Sequence, residues 1–178
     1  MWSGPSRAPV SARAFSLVEL IAVLAMVGAL SIAAAPALRT VQRSSQQAAA
    51  GEVGRTLIVA RRCAMSRGEP AGARVDLDAN SITLWMMPSG ATAPVALKAM
   101  DGADRAALVT SNQFGGVEIE SMRGGDGAAG DGEIWFSPTG EPLLRDGDSF
   151  TPFIRDAEIA LTGDATVVVR KSSGAVQW

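Results

Sequence analysis

Apolar residues fill almost every position from Leu20 to Leu38, and none of these 19 residues is charged. At a rise of about 1.5 Å per residue, a helix of that length spans roughly the 30 Å hydrocarbon core of a bilayer. The pattern therefore predicts a membrane-length helix near the start of the chain. One carboxylate, Glu19, lies at its beginning, and the basic residues Arg7 and Arg13 precede it.

Beyond this run the spacing becomes that of an amphipathic helix over residues 37–67. Its apolar positions recur every three or four residues: Val41, Ala49, Val53, Leu57, Ala60 and Ala64. Gly68, followed by Pro70, predicts the end of the helix. Gly51 and Gly54 each cost about 1 kcal/mol relative to alanine, so we expect the helix to bend or loosen there.

After Pro70 the pattern changes to short alternating segments, which favour β-strands. Expected strands cover residues 73–77, 81–87, 95–99, 107–110, 116–121, 133–136, 158–161, 165–170 and 175–178. A long helix followed by strands predicts an α+β fold, in which a transmembrane and amphipathic helix packs on an antiparallel β-sheet head.

Composition argues for one exported domain of modest size. About 110 residues remain for a globular head once the apolar helix is set aside, which is enough for one core. The chain has 16 basic and 18 acidic residues, a net charge of −2 and a pI near 5.2. No broad basic field is present in that balance, so we expect no nucleic-acid partner.

Residues suited to catalysis or metal binding are scarce in this sequence. It contains no histidine and no tyrosine, and its single cysteine, Cys63, excludes an intramolecular disulfide. We predict no catalytic residues, cofactor or metal ligands, and a small packed role for Cys63. The segment 124–132 places two carboxylates among glycines; we expect a mobile strand connection there, with calcium binding left open. Trp135 is expected in the core, while the role of Trp178 is open.

The residues Arg13-Ala14-Phe15-Ser16-Leu17-Val18-Glu19-Leu20-Ile21 resemble the processing site of type IV prepilins and type II secretion pseudopilins. The resemblance implies that a prepilin peptidase cleaves between Ala14 and Phe15 and methylates the new amine of Phe15. It also implies that Glu19 pairs with the N-terminal amine of a neighbouring subunit during assembly. Ala14 stands where the family usually has glycine. Pro36 falls where many pilins carry a helix-kinking proline, 21 residues after Phe15.

Three later segments resemble the H-type minor pseudopilins and related minor pilins more loosely. They are Leu57 to Gly68 running into Val75 to Asp78, then Ile134 to Gly140, and finally Val167 to Arg170 with Ser173 to Val176. The resemblance implies a low-copy structural subunit, not an enzyme, near the tip of a periplasmic type II secretion pseudopilus.

This resemblance divides the chain into a leader (residues 1–14), a transmembrane and assembly half of the helix (15–38), an amphipathic half (39–68) and the head (69–178). The implied partners are the prepilin peptidase, other pseudopilins or pilins, the inner-membrane assembly platform and inner-membrane lipid. The implied location is the inner membrane, crossed once, with the head in the periplasm.

Other interpretations of the N-terminal segment stay open. It could be an ordinary secretory signal with an Ala33-Ala34-Ala35 cleavage site, or an uncleaved anchor held by Arg7 and Arg13. Two alternative functions also stay open: a minor type IV pilin, which shares the prepilin processing site, and a membrane-anchored exported enzyme or binding module with no filament role.

Overall fold

The computed structural model describes residues 16–99, 102–103 and 105–178, and it describes residues 32–38 by their backbone alone. The fold is α+β, as predicted: a long N-terminal helix packs on antiparallel β-sheets. The chain divides into two compact units, Met1–Thr40 and Val41–Trp178.

The helix α1 runs from Leu17 to Arg67. Ser16 begins it, because its hydroxyl oxygen accepts the N–H of Glu19 at 3.2 Å and its carbonyl accepts the N–H of Leu20 at 3.1 Å. Gly68 follows the last turn with φ of +70°, a backbone conformation that glycine adopts without strain. The predicted stop at Gly68 and Pro70 is therefore confirmed.

Small and branched residues on one side of α1 form the part of the core that faces the sheets. This face consists of residues that are fully buried: Ala49, Val53, Leu57, Ala60 and Ala64. Their spacing of three or four places them on one stripe of the helix. Val41 does not belong to this face, because it is 67% exposed, so the predicted apolar stripe begins later than expected.

Eleven strands and a short helix follow among the described residues. The elements are β1 (Ala71–Asp76), β2 (Ser81–Met86), β3 (Val95–Ala96), β4 (Leu108–Val109), α2 (Thr110–Gln113), β5 (Ile119–Arg123), β6 (Gly132–Phe136), β7 (Pro142–Asp146), β8 (Ser149–Pro152), β9 (Ala157–Leu161), β10 (Ala165–Val169) and β11 (Val176–Gln177). They form a seven-stranded sheet in the order β3-β2-β1-β6-β7-β8, with β4 also paired to β2, and a four-stranded sheet in the order β11-β10-β9-β5.

The register of the larger sheet sorts its residues onto two faces. Ala73 pairs with both Leu84 and Ile134, and all three are buried in the core. One residue along, Arg74 pairs with Thr83 and Glu133 on the opposite face. Side chains alternate across a strand, so the sheet has one face in the core and one polar face that carries charged groups.

Candidate functional site

The first turn of α1 holds Glu19 in a local capping arrangement. Ser16 and Glu19 have the spacing of a Ser-x-x-Glu capping box, and the described residues show one half of it, in which the Glu19 N–H donates to the Ser16 hydroxyl. A carboxylate in the first turn is also favourable beside the positive end of the helix dipole. The Ser16 cap is a local feature that the sequence analysis did not predict, and the Ser-x-x-Glu spacing was the signal that could have revealed it.

Large apolar side chains surround Glu19 along the chain and are exposed in the first unit. They are Leu17, Val18, Leu20, Ile21, Val23, Leu24, Met26, Val27 and Leu30. Within the part of the chain that the structure describes, no ion pair or hydrogen bond involves the Glu19 carboxylate. This arrangement is a single carboxylate in an uncovered apolar segment.

The structure gives no site geometry for the other residues predicted to take part in processing and assembly. Ala14 and Phe15 lie outside the described residues, as does the side chain of Pro36, although residue 36 falls within α1. Among the described residues, no helix is both long enough and apolar enough to span a membrane.

Arg61 joins three of the segments on which the H-type resemblance rests. From α1, its Nε donates to the Gly140 carbonyl at 2.9 Å, and its Nη2 donates to the Ser173 carbonyl at 2.9 Å. Gly140 and Gly174 both have positive φ and pack closely against each other, with the Gly140 carbonyl against Gly174. A side chain at Gly174 would clash with the Gly140 carbonyl, and one at Gly140 would crowd Arg61 and Met65, so the absence of both side chains lets the three segments meet at this junction.

A cluster of charged and aromatic residues occupies the polar face of the larger sheet. Glu133 accepts hydrogen bonds from Arg74 at 2.6 Å and 3.0 Å, from Arg145 at 3.2 Å and from the Trp135 indole at 2.7 Å. Arg145 also lies over the Trp135 ring at 5.7 Å, and its Nε is buried with no hydrogen-bond partner among the described residues. The cluster covers Trp135, which explains how a tryptophan on this face is buried.

The carboxylate of Glu133 is held in its ionised form by these contacts. Burial raises its pKa, but the hydrogen bonds from Trp135, Arg74 and Arg145 outweigh burial, and the pKa lies below its ordinary value. Each of these three side chains therefore donates its hydrogen bond to an ionised carboxylate. The cluster stabilises the sheet, and it leaves Glu133 poorly suited to act as a general acid near neutral pH.

The glycine-rich segment 124–132 connects β5 to β6, as the expected strand connection, and it does so through a hydrogen-bonded turn. Asp126 accepts the N–H of Ala128, and Asp131 accepts the N–H of Leu77, each at 2.8 Å. Gly125 accepts two backbone N–H groups from the segment after β8 and packs against the Phe153 ring. Both carboxylates thus serve backbone groups, and no cluster of three or more potential metal ligands occurs among the described residues.

Trp178 and Cys63 have packing roles. The indole of Trp178 packs directly on Gly54 and lies beside Gly51, where the absence of side chains leaves room for the ring. The two glycines therefore make room for the side chain of the residue that follows β11. The sequence pattern did not predict this packing. Cys63 is half-buried against the core, as expected.

Comparison with known proteins finds similarity to a solved structure. No protein-family profile matches the sequence, and no curated protein matches it. Among solved structures, the chain is similar to the minor pseudopilin EpsH from the type 2 secretion system of Vibrio cholerae. The two share 15% sequence identity over 75% of this chain and 94% of that chain, with a TM-score of 0.49. Because the identity and the TM-score are both low, this similarity does not indicate a function, and the function is argued from the residues of this chain.

Proposed function

We propose that this chain is a minor pseudopilin, a structural subunit that a prepilin peptidase processes and that assembles into a type II secretion pseudopilus. The observation that carries the proposal is the single carboxylate of Glu19 at the start of an uncovered apolar segment. A plain anchor needs no ionisable group at that place beyond its small favourable effect on the helix dipole, whereas a subunit that pairs with a neighbour through an ion pair requires one.

The electrostatics of Glu19 favour assembly over an isolated subunit. A carboxylate within an apolar membrane segment costs on the order of 2.5 kcal/mol, and less near the end of the span. An opposite charge in the same low-dielectric setting reduces that cost, provided that it reaches the carboxylate. In our proposal the charge is the methylated amine of Phe15 on a neighbouring subunit, and the capping bond that the Glu19 N–H donates to the Ser16 hydroxyl orients the turn that presents Glu19.

The proposed processing places the protein in the inner membrane with its head in the periplasm. Cleavage between Ala14 and Phe15 removes the basic leader and leaves the apolar segment from Leu20 to Leu38 as the spanning and assembling part. The assembly platform and other pseudopilins are the partners in this scheme. A minor type IV pilin shares every one of these steps and differs in the filament that it joins.

The first test is intact-mass and N-terminal analysis of the protein recovered from the membranes of its native host. We expect a mature chain that begins with N-methylated Phe15. A chain that begins near Pro36 or Ala37 would show ordinary signal cleavage, and an unprocessed start at Met1 would show an anchored module. Either result would overturn the proposal.

The second test separates assembly from membrane insertion. Glu19→Ala should leave the amount of protein in the membrane unchanged and abolish its recovery with isolated filaments. Glu52→Ala is the matched control, because Glu52 is a partly exposed carboxylate on the same helix, and it pairs with the exposed Arg55 at the surface. Recovery of the Glu19 variant with filaments at the control level would refute an assembly role. The major subunit found in the same filaments identifies them as a secretion pseudopilus or a type IV pilus.

A further inference from the structure

An apolar groove lies between the C-terminal part of α1 and the last strand of the smaller sheet. Its volume is about 440 Å³, and it is lined by Ile58, Arg61, Arg62, Met65, Ala175 and Val176. Met65 is 52% exposed, so its side chain presents apolar surface at the groove. The groove is thus an apolar surface that the described part of the chain leaves uncovered.

One wall of this groove is the free edge of a β-sheet. β11 pairs with β10 on one side and is the last strand of its sheet among the described residues. The N–H of Arg170 donates to the carbonyl of Ala175, and alternate residues of an antiparallel strand turn their backbone groups away from the partner strand. The N–H and C=O of Val176 therefore point outward, where they can pair with another strand.

The charged residues that line the groove are both basic. Arg61 and Arg62 line it and no acidic residue does. Arg61 is engaged by the carbonyls of Gly140 and Ser173, whereas Arg62 is exposed and forms no ion pair with any described residue. An occupant that carries a carboxylate would complement this surface.

We propose that the groove binds an extended, acidic segment of a partner protein, which adds to β11 as a strand. Backbone hydrogen bonds to Val176 hold the segment. Its inward apolar side chains lie on Ile58 and Met65, and its carboxylate pairs with Arg62. Edge pairing combined with alternate side-chain pockets is an established mode of peptide recognition, and here the arginine supplies the charge specificity. The inference goes beyond the filament role and does not depend on it.

The test is selection from a displayed library of random short peptides against the full-length protein in detergent. We expect enriched peptides to alternate apolar residues and to carry a glutamate or aspartate. Binding measured by fluorescence anisotropy should weaken roughly tenfold with Arg62→Glu, which corresponds to about 1.4 kcal/mol for a charge pair at a partly covered site. A second selection against the Arg62→Glu variant should enrich lysine or arginine in place of the acid.

Two controls make the test specific. Arg43→Glu makes the same charge change on an exposed arginine of α1 that is 19 residues from Arg62, about 28 Å along the helix, and it should leave peptide binding unchanged. N-methylation of the peptide backbone at alternate positions should abolish binding, because it removes the N–H groups that pair with β11.

Three outcomes would overturn the proposal. They are the absence of enriched peptides, equal binding to the Arg62→Glu and Arg43→Glu variants, and unchanged binding of the N-methylated peptides. Concentration-dependent self-association that is lost with Arg62→Glu would also overturn it, because a second copy of the chain would then be the occupant.

Discussion

Replacing Gly54 with alanine should destabilise the second unit, although alanine is the better helix former. The gain in helix propensity is about 1 kcal/mol. A methyl group at Gly54 would, however, occupy the space of the Trp178 ring, which packs directly on this glycine. The ring cannot keep its present position beside that methyl group, so the substitution displaces it.

The exposure of Trp178 sets the size of the loss. The residue is 56% exposed, so a little under half of its surface is covered. That is roughly 100 Å² for a tryptophan, or about 2.5 kcal/mol at 25 cal/mol per Å². After subtraction of the gain in propensity, Gly54→Ala should lower the free energy of unfolding by about 1.5 kcal/mol.

Gly51 provides a matched control on the same helix. A methyl group there would lie 3.5 Å from the Trp178 Nε1, which is an ordinary contact, so Gly51→Ala should stabilise by about 1 kcal/mol. Urea unfolding of the full-length protein in detergent, followed by circular dichroism, measures both changes. In a Trp178→Ala background the effect of Gly54→Ala should reverse and become stabilising by about 1 kcal/mol. If Gly54→Ala stabilises the protein that retains Trp178 as much as Gly51→Ala does, the packing argument is wrong.

Three further predictions concern the junctions of the second unit. Arg61→Ala should cost about 2–3 kcal/mol in urea unfolding, because it removes two hydrogen bonds from a charged donor, whereas Arg62→Ala should change stability by less than about 0.5 kcal/mol. The pKa of Glu133 lies below its ordinary value of 4.5 in the folded protein, so the stability that its ionised form adds is present above that pH and is lost as the pH falls through the folded-state pKa. Glu133→Gln should therefore flatten the decline in unfolding free energy below pH 4.5, and an equally steep decline in the variant would contradict this. Asn80→Ala should cost about 1–2 kcal/mol, since the Asn80 side chain accepts the N–H of Ile119 at 2.7 Å, while Asn80→Asp, which keeps the acceptor, should cost less.

Local patterns in the sequence predict those elements whose residues obey local rules. The helix end at Gly68 follows from glycine and proline, the strands β1 and β2 follow from the alternating pattern, and all three are present. The hairpin of β7 and β8 was not predicted. β7 begins with a proline and carries Arg145, whose side chain packs over Trp135 and so takes the place of an apolar residue in the alternating pattern.

Contacts between distant segments account for the features that the sequence did not reveal. Local sequence rules predict that Gly54 destabilises the helix, and its packing role depends on contact with Trp178, which is distant along the chain. In the same way, the glycine-rich segment 124–132 reads as a linker by composition, whereas Asp131 fixes it to the N–H of Leu77, which is 54 residues away. Neither partner can be identified from spacing along one chain.

Two parts of the same helix are under different constraints, which makes folding and assembly separable by mutation. The buried stripe and the two glycines of α1 are fixed by contacts within the second unit, so substitutions there act on the free energy of unfolding. Glu19 belongs to the first unit, and its described hydrogen bond lies within its own turn. Glu19→Ala should therefore leave the urea midpoint of the second unit unchanged while it abolishes incorporation into filaments. Gly54→Ala should lower the midpoint and, at temperatures where the variant remains folded, leave incorporation intact. If the Glu19 variant instead unfolded at a lower urea concentration, its loss from filaments would reflect stability, and the electrostatic role proposed for Glu19 would lose its support.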